Sequence, residues 1–429
     1  MENTLDGFTI LRFARAFRSG AGVETHLSDL DYNLLLRNNV TIIRLYIQQE
    51  TINEKKIISK IGQGILIEIP MQVSAEEKPP VSFTRRIKQF KIPFLKIIFR
   101  EVIIYNPFLY RVLFRRLLNK YAPQSGQFPI GNAGEIVRNI LQEYKVDLVV
   151  MHHVGTVESA EIIKEAKKVN IPYIFHNCFS NSVLSDISVR EQIYDAACIA
   201  GFSNVGVPRW LKDVFINVSS GVDTKLLNPD MARPIKIEID IPIIFYPARI
   251  NRAKGQIDIL KVYLKLQKYK LRAKIVFAGR TDSNEYEIEL KRFVQQNTLT
   301  KDVLFVGQLN RDELRDWYGI SSIVALSTYH QEGLPTVLIE AQAMKVPPVA
   351  YIIGGTPEAI IDGKTGYLVK KGDIRTFTHK IRELLINNER RIKMGEAGRW
   401  FVEKEFSLKA LAERHENLYL QALNKMQGM

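Results

Sequence analysis

Residues 329–344 read YHQEGLPTVLIEAQAM, and the reading of this stretch decides the fold. Gly333 frees the backbone, Leu334 and Pro335 make a turn, and proline suits a first helical position but not a helix interior. An Ala-rich apolar helix follows. Its start leaves the amides of Thr336 and Val337 without intrahelical partners, which is a cradle for phosphate. Glu340 lies about one turn further in, and a carboxylate there can accept two hydrogen bonds from a vicinal diol such as a ribose. Glu332, in the preceding loop, can do the same for a second polyol. Two other readings of the glutamates stand beside this one: a solvated loop-to-helix junction, and the acid/base pair of a glycosidase. The cradling turn between them, and the lack of a further acidic cluster, disfavour the pair.

Working outward, the segment falls in a run of strands alternating with helical segments. Strands are expected at 243–248, 274–278, 303–306, 322–326 and 348–352, with helices near 373–405 and 408–424. That alternation specifies a parallel sheet covered on both faces, an α/β architecture in which ligands bind at the carboxyl ends of strands. The loops at those ends carry suitable chemistry. Arg249 and Lys254 frame a helix start and can bracket a diphosphate. Gly279 ends the second strand. Val306, Gly307 and Leu309 end the third, where bare backbone can meet a flat base edge. Gly354-Gly355-Thr356 ends the fifth.

The other half repeats the pattern less cleanly. A strand at 8–13 runs into Gly20-Ala21-Gly22 and a helix from near Val23, a βα unit whose loop permits close approach of a ligand. Strands follow at 40–47, 64–69, 147–153, 171–176, 195–202 and 214–218, with His152 and His176 at strand ends. Asp29 and Asp31 fall within an amphipathic run and read as a solvated helix face, not a metal site. Residues 228–242, with three prolines and no helical periodicity, read as a linker. The expected division is a first domain at 1–228, a linker at 229–242, a second domain at 243–405 and a last helix over 406–429.

Composition sets the outer limits. A chain of 429 residues suggests two domains, and 46% hydrophobic with 25% charged residues is ordinary for a globular protein. The formal charge of +14 calls for an anionic partner: a phosphate-bearing substrate, an acidic membrane or nucleic acid. Cys178 and Cys198 have no paired spacing, so neither a disulfide framework nor a zinc site is suggested. No signal peptide or spanning run is evident, so a cytosolic protein, peripheral at a membrane surface, is the expectation. Residues 82–120 interleave ten Lys or Arg with aliphatic and aromatic residues against the single acid Glu101. This composition suits a basic amphipathic pair on an anionic membrane surface, with plain core helices or an RNA-binding patch as competing readings.

RxxxxKG at Arg249–Gly255, EGLPxVLxEA at Glu332–Ala341, and PVAYxxGGxPE at Pro348–Glu358 with DGxxGxLV at Asp362–Val369 resemble the retaining glycosyltransferases of the GT-B class, family 4. The likeness covers most of 240–405; the first half agrees loosely through GAGVE at Gly20–Glu24, His152 and SGVD at Ser220–Asp223. It departs at Ala248, Leu326, Ser220, Lys345 and Val346, where the family's usual glycines, proline and asparagine are replaced.

The resemblance implies two facing Rossmann-like domains with parallel sheets, the last helix crossing back to the N-terminal one. It implies a nucleotide-sugar donor held mainly by the second domain, and a glycan or lipid-linked acceptor taken by the first. Arg249 and Lys254 would hold the diphosphate, and Glu340 the ribose. Glu332 would contact the donor sugar, and Gly333, Leu334, Pro335, Thr336 and Val337 the phosphates and sugar through backbone. His152 would stand near the reacting carbon. No cofactor and no metal are expected. A sugar phosphorylase or nucleotide-sugar epimerase would share the fold. A nucleic-acid-binding protein is the rival of another kind; it leaves Arg249, Lys254 and the acidic pair unexplained, so no nucleic-acid partner is expected.

Overall fold

Short, unbroken apolar runs such as LVVM and IIFYP fit strands buried on both faces, and this is how they are used. In the computed structural model of the chain, residues 4–14, 22–48, 56–72, 133–152, 157–177, 187–235, 241–331 and 333–427 are described. They divide into two compact units, one of residues 1–218 with 412–429, the other of residues 219–411.

The first unit holds β1 (Thr9–Ala14), β2 (Thr41–Gln48), β3 (Ile57–Ile61), β4 (Gly64–Gln72), β5 (Leu148–Met151), β6 (Tyr173–Asn177), β7 (Cys198–Gly201) and β8 (Phe215–Asn217). They form one sheet in the order β3-β4-β2-β1-β5-β6-β7-β8, parallel except for β3, which pairs antiparallel with β4. Helices α1 (Gly22–Arg37), α2 (Ala133–Glu143), α3 (Val157–Lys168) and α4 (Ile187–Ile193) accompany it. Leu11, Phe13, Ile43, Val149, Met151 and Phe175 sit in its core. β3 escaped the sequence reading, although Gly62-Gln63 between IISKI and GILIEI is a two-residue hairpin signal, with Gly62 at φ 58°.

The second unit holds β9 (Ile243–Pro247), β10 (Lys274–Ala278), β11 (Val303–Gly307), β12 (Ile323–Leu326), β13 (Pro348–Ile352) and β14 (Tyr367–Lys370). All pairs are parallel, in the order β11-β10-β9-β12-β13-β14. This is the doubly wound order, and it reverses between β9 and β12, where such sheets open a crevice. The helices here are α5 (Gln256–Lys268), α6 (Asn284–Gln296), α7 (Arg311–Ile320), α8 (Thr336–Ala343), α9 (Thr356–Ala359), α10 (Ile374–Ile386) and α11 (Asn388–Glu405). The last, α12 (Leu408–Gln427), starts in the second unit and continues within the first from Ala412.

Three expectations need correction. The units part at Val218/Ser219, not at 228, because 219–233 are tied to the second. Arg399 donates to the carbonyls of Thr224 and Leu227, Gly221 lies against Leu411, and Arg233 meets Asp316. The helix expected over 373–405 is two helices, broken at Asn387, whose side chain accepts from the Arg390 amide and starts the second. Asp31 is not solvated: it is fully buried between Arg12 and Arg44. The basic stretch 82–120 lies outside the described residues.

Candidate active site

The loops of the second unit that carry the expected residues leave the carboxyl ends of β9 and β12, the two strands flanking the reversal. After β9 the chain makes a tight turn at Arg252–Lys254, capped by Asn251, whose side chain accepts from the Lys254 amide at 3.1 Å. Gly255 then takes φ 71° and opens α5. No other residue fits there: a Cβ would stand 2.1 Å from the Ser327 carbonyl oxygen. The close approach lets the two loops clasp through main chain. Ala253 O accepts from the amides of Tyr329 (2.7 Å) and His330 (3.1 Å) and from the Thr328 hydroxyl (3.2 Å). Ser327 Oγ donates to Gly255 O at 2.8 Å, and the buried Tyr246 hydroxyl donates to Lys254 O while accepting from the Ser327 amide. Behind them Asp258, nearly buried, accepts from the hydroxyls of Tyr329 (2.7 Å) and Tyr351 (2.9 Å). Burial, then the Asp258 hydrogen bond and charge, push the Tyr329 phenol up to about 12.

The structure thus ties the Lys254 loop to the chain that leads into residues 333–340. Pro335 is the cap of α8 rather than its first residue, and it offers no side-chain acceptor to the amides of Thr336 and Val337. Glu340, half-buried on α8, accepts from Tyr318 Oη at 2.9 Å. Burial pushes its carboxyl up from the usual range, against the hydrogen bonds of Tyr318 and Thr336 and the charge of Arg311. Glu332 lies outside the described residues, as do Gly20 and Ala21; Gly22 begins α1.

On the other side of β9, Gly279 takes φ 149°, and a Cβ there would stand 2.3 Å from Ala248 O. Its amide reaches Gly307 O at 2.7 Å, so the ends of β9, β10 and β11 are drawn together. Gly307 has φ 75° and open space about it, with Val306 and Leu309 half-buried alongside. Arg249 is half-exposed and pairs with Asp282 Oδ2 at 2.9 Å; Arg280 and Asn251 reach the same carboxylate at 3.0 and 3.1 Å. Desolvation works to raise Asp282, but the hydrogen bonds from Arg280 and Asn251 and the charges of Arg249 and Arg280 prevail and hold it below the usual carboxylate range. Asp282, Asp258 and Tyr318 escaped the sequence reading. Asp282 had a signal, lying two residues after Arg280 at a strand end; Asp258 and Tyr318, inside ordinary amphipathic helices, had none.

His152 belongs to the first unit, at the end of β5, and is almost wholly buried. Arg12 Nη1 stands 2.9 Å from its Nε2. A guanidinium only donates, so that nitrogen accepts and the ring proton sits on Nδ1. Arg12 also donates to Tyr419 Oη at 2.9 Å, and His176 Nε2 faces His415 Nε2 at 3.0 Å, both contacts to α12. Among the described residues no group of His, Cys, Asp and Glu is arranged to hold a metal ion, and no helix is long and apolar enough to cross a membrane.

Two sheets of this order, with the reversal-point loops clasped in the second, define a GT-B fold, and comparison with solved structures agrees. A glycosyltransferase from Rickettsia africae superposes with TM-score 0.69 over 97% of this chain and 98% of that one, at 19% identity. HepE of Anabaena, solved in complex with UDP, gives TM-score 0.66 over 96% and 99% at 13% identity. Residues 230–401 match the family model described as Glycosyl transferases group 1. Among curated relatives, a D-inositol 3-phosphate glycosyltransferase of Corynebacterium aurimucosum is 29% identical over 223 residues, 49% of this chain and 52% of that protein. The capsular polysaccharide biosynthesis glycosyltransferase CapM of Staphylococcus aureus is 27% identical over 187 residues, 43% and 48%. The chain spans about half the length of the curated relatives it matches.

Proposed function

We propose that the protein transfers a sugar from a nucleoside diphosphate to a hydroxyl of a glycan or lipid-linked acceptor, with retention at the anomeric carbon. The observation that carries this reading is the clasp between the Lys254 loop and the 327–330 loop at the sheet's reversal point. It brings a cation from one strand end beside the chain leading to the α8 amides and Glu340. In the proposed complex Lys254 and Arg249 neutralise the charge growing on the departing diphosphate, a role this reading gives to side chains and not to a metal ion. Arg249 exchanges Asp282 for phosphate. The amides of Thr336 and Val337 add their dipoles, Glu340 takes the ribose hydroxyls, and Glu332 takes the donor sugar. The bond from the anomeric carbon to the diphosphate breaks with its electrons on the diphosphate. The acceptor oxygen then bonds to that carbon on the same face and gives its proton to a donor phosphate oxygen.

The names of the relatives support the acceptor class, since they include capsular polysaccharide and phosphatidylinositol mannoside enzymes. The first unit keeps the acceptor role and His152 in this reading. Lys254→Ala is expected to lower the transfer rate by about 10²–10³ while leaving stability within about 0.5 kcal/mol. A loss below tenfold in a direct sugar-transfer assay removes the assignment. The same reading places the protein at the cytoplasmic face of a membrane through 82–120. It expects flotation with anionic vesicles at low salt, abolished when Arg85, Arg86, Arg115 and Arg116 are neutralised. No flotation at any salt refutes it.

A further inference from the structure

Along the length of α5, away from the reversal-point loops, a groove opens between that helix and α10. Lys265 and Lys268 project from α5, and Arg375, His379 and Arg382 line the facing side from α10. The spacings of three and four put each set on one helix face. Tyr269 ends the row, with the Arg382 guanidinium 4.8 Å from its ring centroid, which fixes the planar fork in place. The groove encloses about 640 Å³, within the range of small-ligand sites. At a rise of about 1.5 Å per residue, Lys265 and Lys268 stand roughly 10–15 Å along the helix from Asp258, so the groove is distinct from the clasped loops.

What marks these cations is their convergence on one concavity, where none of them closes on an acid. Elsewhere on the same unit, Arg280 pairs with Asp282 (3.0 Å), Lys291 with Glu287 (2.7 Å), Lys345 with Glu396 (2.9 Å) and Arg390 with Glu383 (2.6 Å). Lys265, Lys268, Arg375 and Arg382 form no ion pair among the described residues. The neighbouring acid Asp373 is engaged in capping α10, accepting from both the amide and the hydroxyl of Thr376, and the nearby Arg375 charge helps to hold its carboxyl down without forming an ion pair. Four permanent cations facing one another across a concavity repel, and a bound anion converts that repulsion into attraction.

We propose that this groove binds a phosphate-bearing ligand at a site separate from the one that holds the sugar donor. The guanidiniums of Arg375 and Arg382 supply the planar forks that match phosphate, Lys265 and Lys268 supply point charges, and His379 supplies a ring donor. The ligand is either a soluble polyphosphate compound or a phospholipid headgroup, which present the same chemistry.

The test uses the full chain carrying Lys254→Ala, so that the donor loops contribute little. Tripolyphosphate is titrated calorimetrically at about 50 mM salt, where phosphate contacts are strong. One variant adds Lys265→Gln, Lys268→Gln and Arg375→Gln, all exposed positions. A control removes the same charge at the exposed Lys301, Lys364 and Lys393. The expected result is saturable binding by the parent, weakened about tenfold or more in the groove variant and less than about twofold in the control. Equal weakening in both variants, or no saturable binding by the parent, overturns the proposal. Sedimentation with phosphatidylglycerol vesicles then assigns the source. Vesicle binding lost only in the groove variant identifies a headgroup, whereas vesicle binding unchanged while tripolyphosphate binding falls identifies a soluble ligand.

Discussion

Each unit places ionised groups at the point where its strand order reverses, yet the two handle them in opposite ways. In the first, β1 and β5 flank the reversal, and the charges there are sealed. Glu68, Arg44 and Arg12 are register partners on β4, β2 and β1, and Asp31 of α1 closes over them, with Oδ1 2.8 Å from Arg12 and Oδ2 2.8 Å from Arg44. The cluster is electrically balanced, and it fixes His152 and Tyr419 through Arg12. In the second, the sealed part is the clasp beneath the site: Tyr246, Ser327 and the Asp258–Tyr329–Tyr351 group. Above it Arg249 is half-exposed, and Glu340 is held with its carboxyl pushed up. Charges balanced in the interior serve architecture and orientation. Charges left reachable on a rigid base are available to a ligand.

The largest effect is expected where the charges are sealed. Asp31→Ala takes from two buried guanidiniums the acid they share, and breaking a buried ionic group from one side costs about 3–5 kcal/mol. Urea denaturation should show the midpoint falling accordingly. A loss under about 1 kcal/mol would mean that water reaches the cluster, and the contrast between the units would fail.

A second substitution sharpens the contrast from the other side, by deforming the base without removing a charge. Gly255→Ala forces a Cβ against the Ser327 carbonyl at a backbone angle that L-residues disfavour. A strain of about 1–3 kcal/mol is expected, together with loss of the clasp. Because Lys254 and Glu340 remain, the transfer rate should fall more than the stability loss alone predicts, visible as a lower kcat in protein that is still folded at the assay temperature. Full activity in such a variant would show that the clasp does not position Lys254.

The second unit was the more legible in the sequence because its strands are uninterrupted and its loops carry paired signals. Residues 243–247, 274–278 and 348–352 need little context to be recognised. The Glu68–Arg44–Arg12 row was legible in principle, since TILRFA, TIIRLYIQ and GILIEIPM each place one charge mid-strand. The partner Asp31 was misread because α1 looks solvated on that face until the strand charges are aligned beneath it. The clasp was largely illegible: its bonds run through the carbonyls of Ala253 and Gly255, and main-chain acceptors leave no side-chain trace. Arg249 was found but its resting partner was not, because Asp282 lies in the loop after β10, and no sequence pattern sets that strand beside β9.

The smallest effect separates a ligand site from architecture by the sign of its pH dependence. Burial raises the Glu340 carboxyl relative to the unfolded chain, so the folded state binds its proton more tightly than the unfolded state does. The stabilisation this proton gives is complete below the ordinary glutamate pKa of about 4.3 and is lost as pH rises through the higher folded value, so at neutral pH the ionised group destabilises the fold. Glu340→Gln keeps an acceptor for Tyr318 Oη and removes the charge. Its melting temperature should exceed that of the parent at pH 7–8, with the difference shrinking as the buffer is taken below about pH 4.3. The same protein should bind nucleotide sugars more weakly, since a neutral amide holds a diol less well than a carboxylate. Asp31→Asn should show the opposite sign of stability, being worse than the parent at neutral pH, because its acid sits between two guanidiniums. Were Glu340→Gln to destabilise at pH 7 as Asp31→Asn does, Glu340 would belong with the sealed charges of the first unit and would have no part in holding a donor.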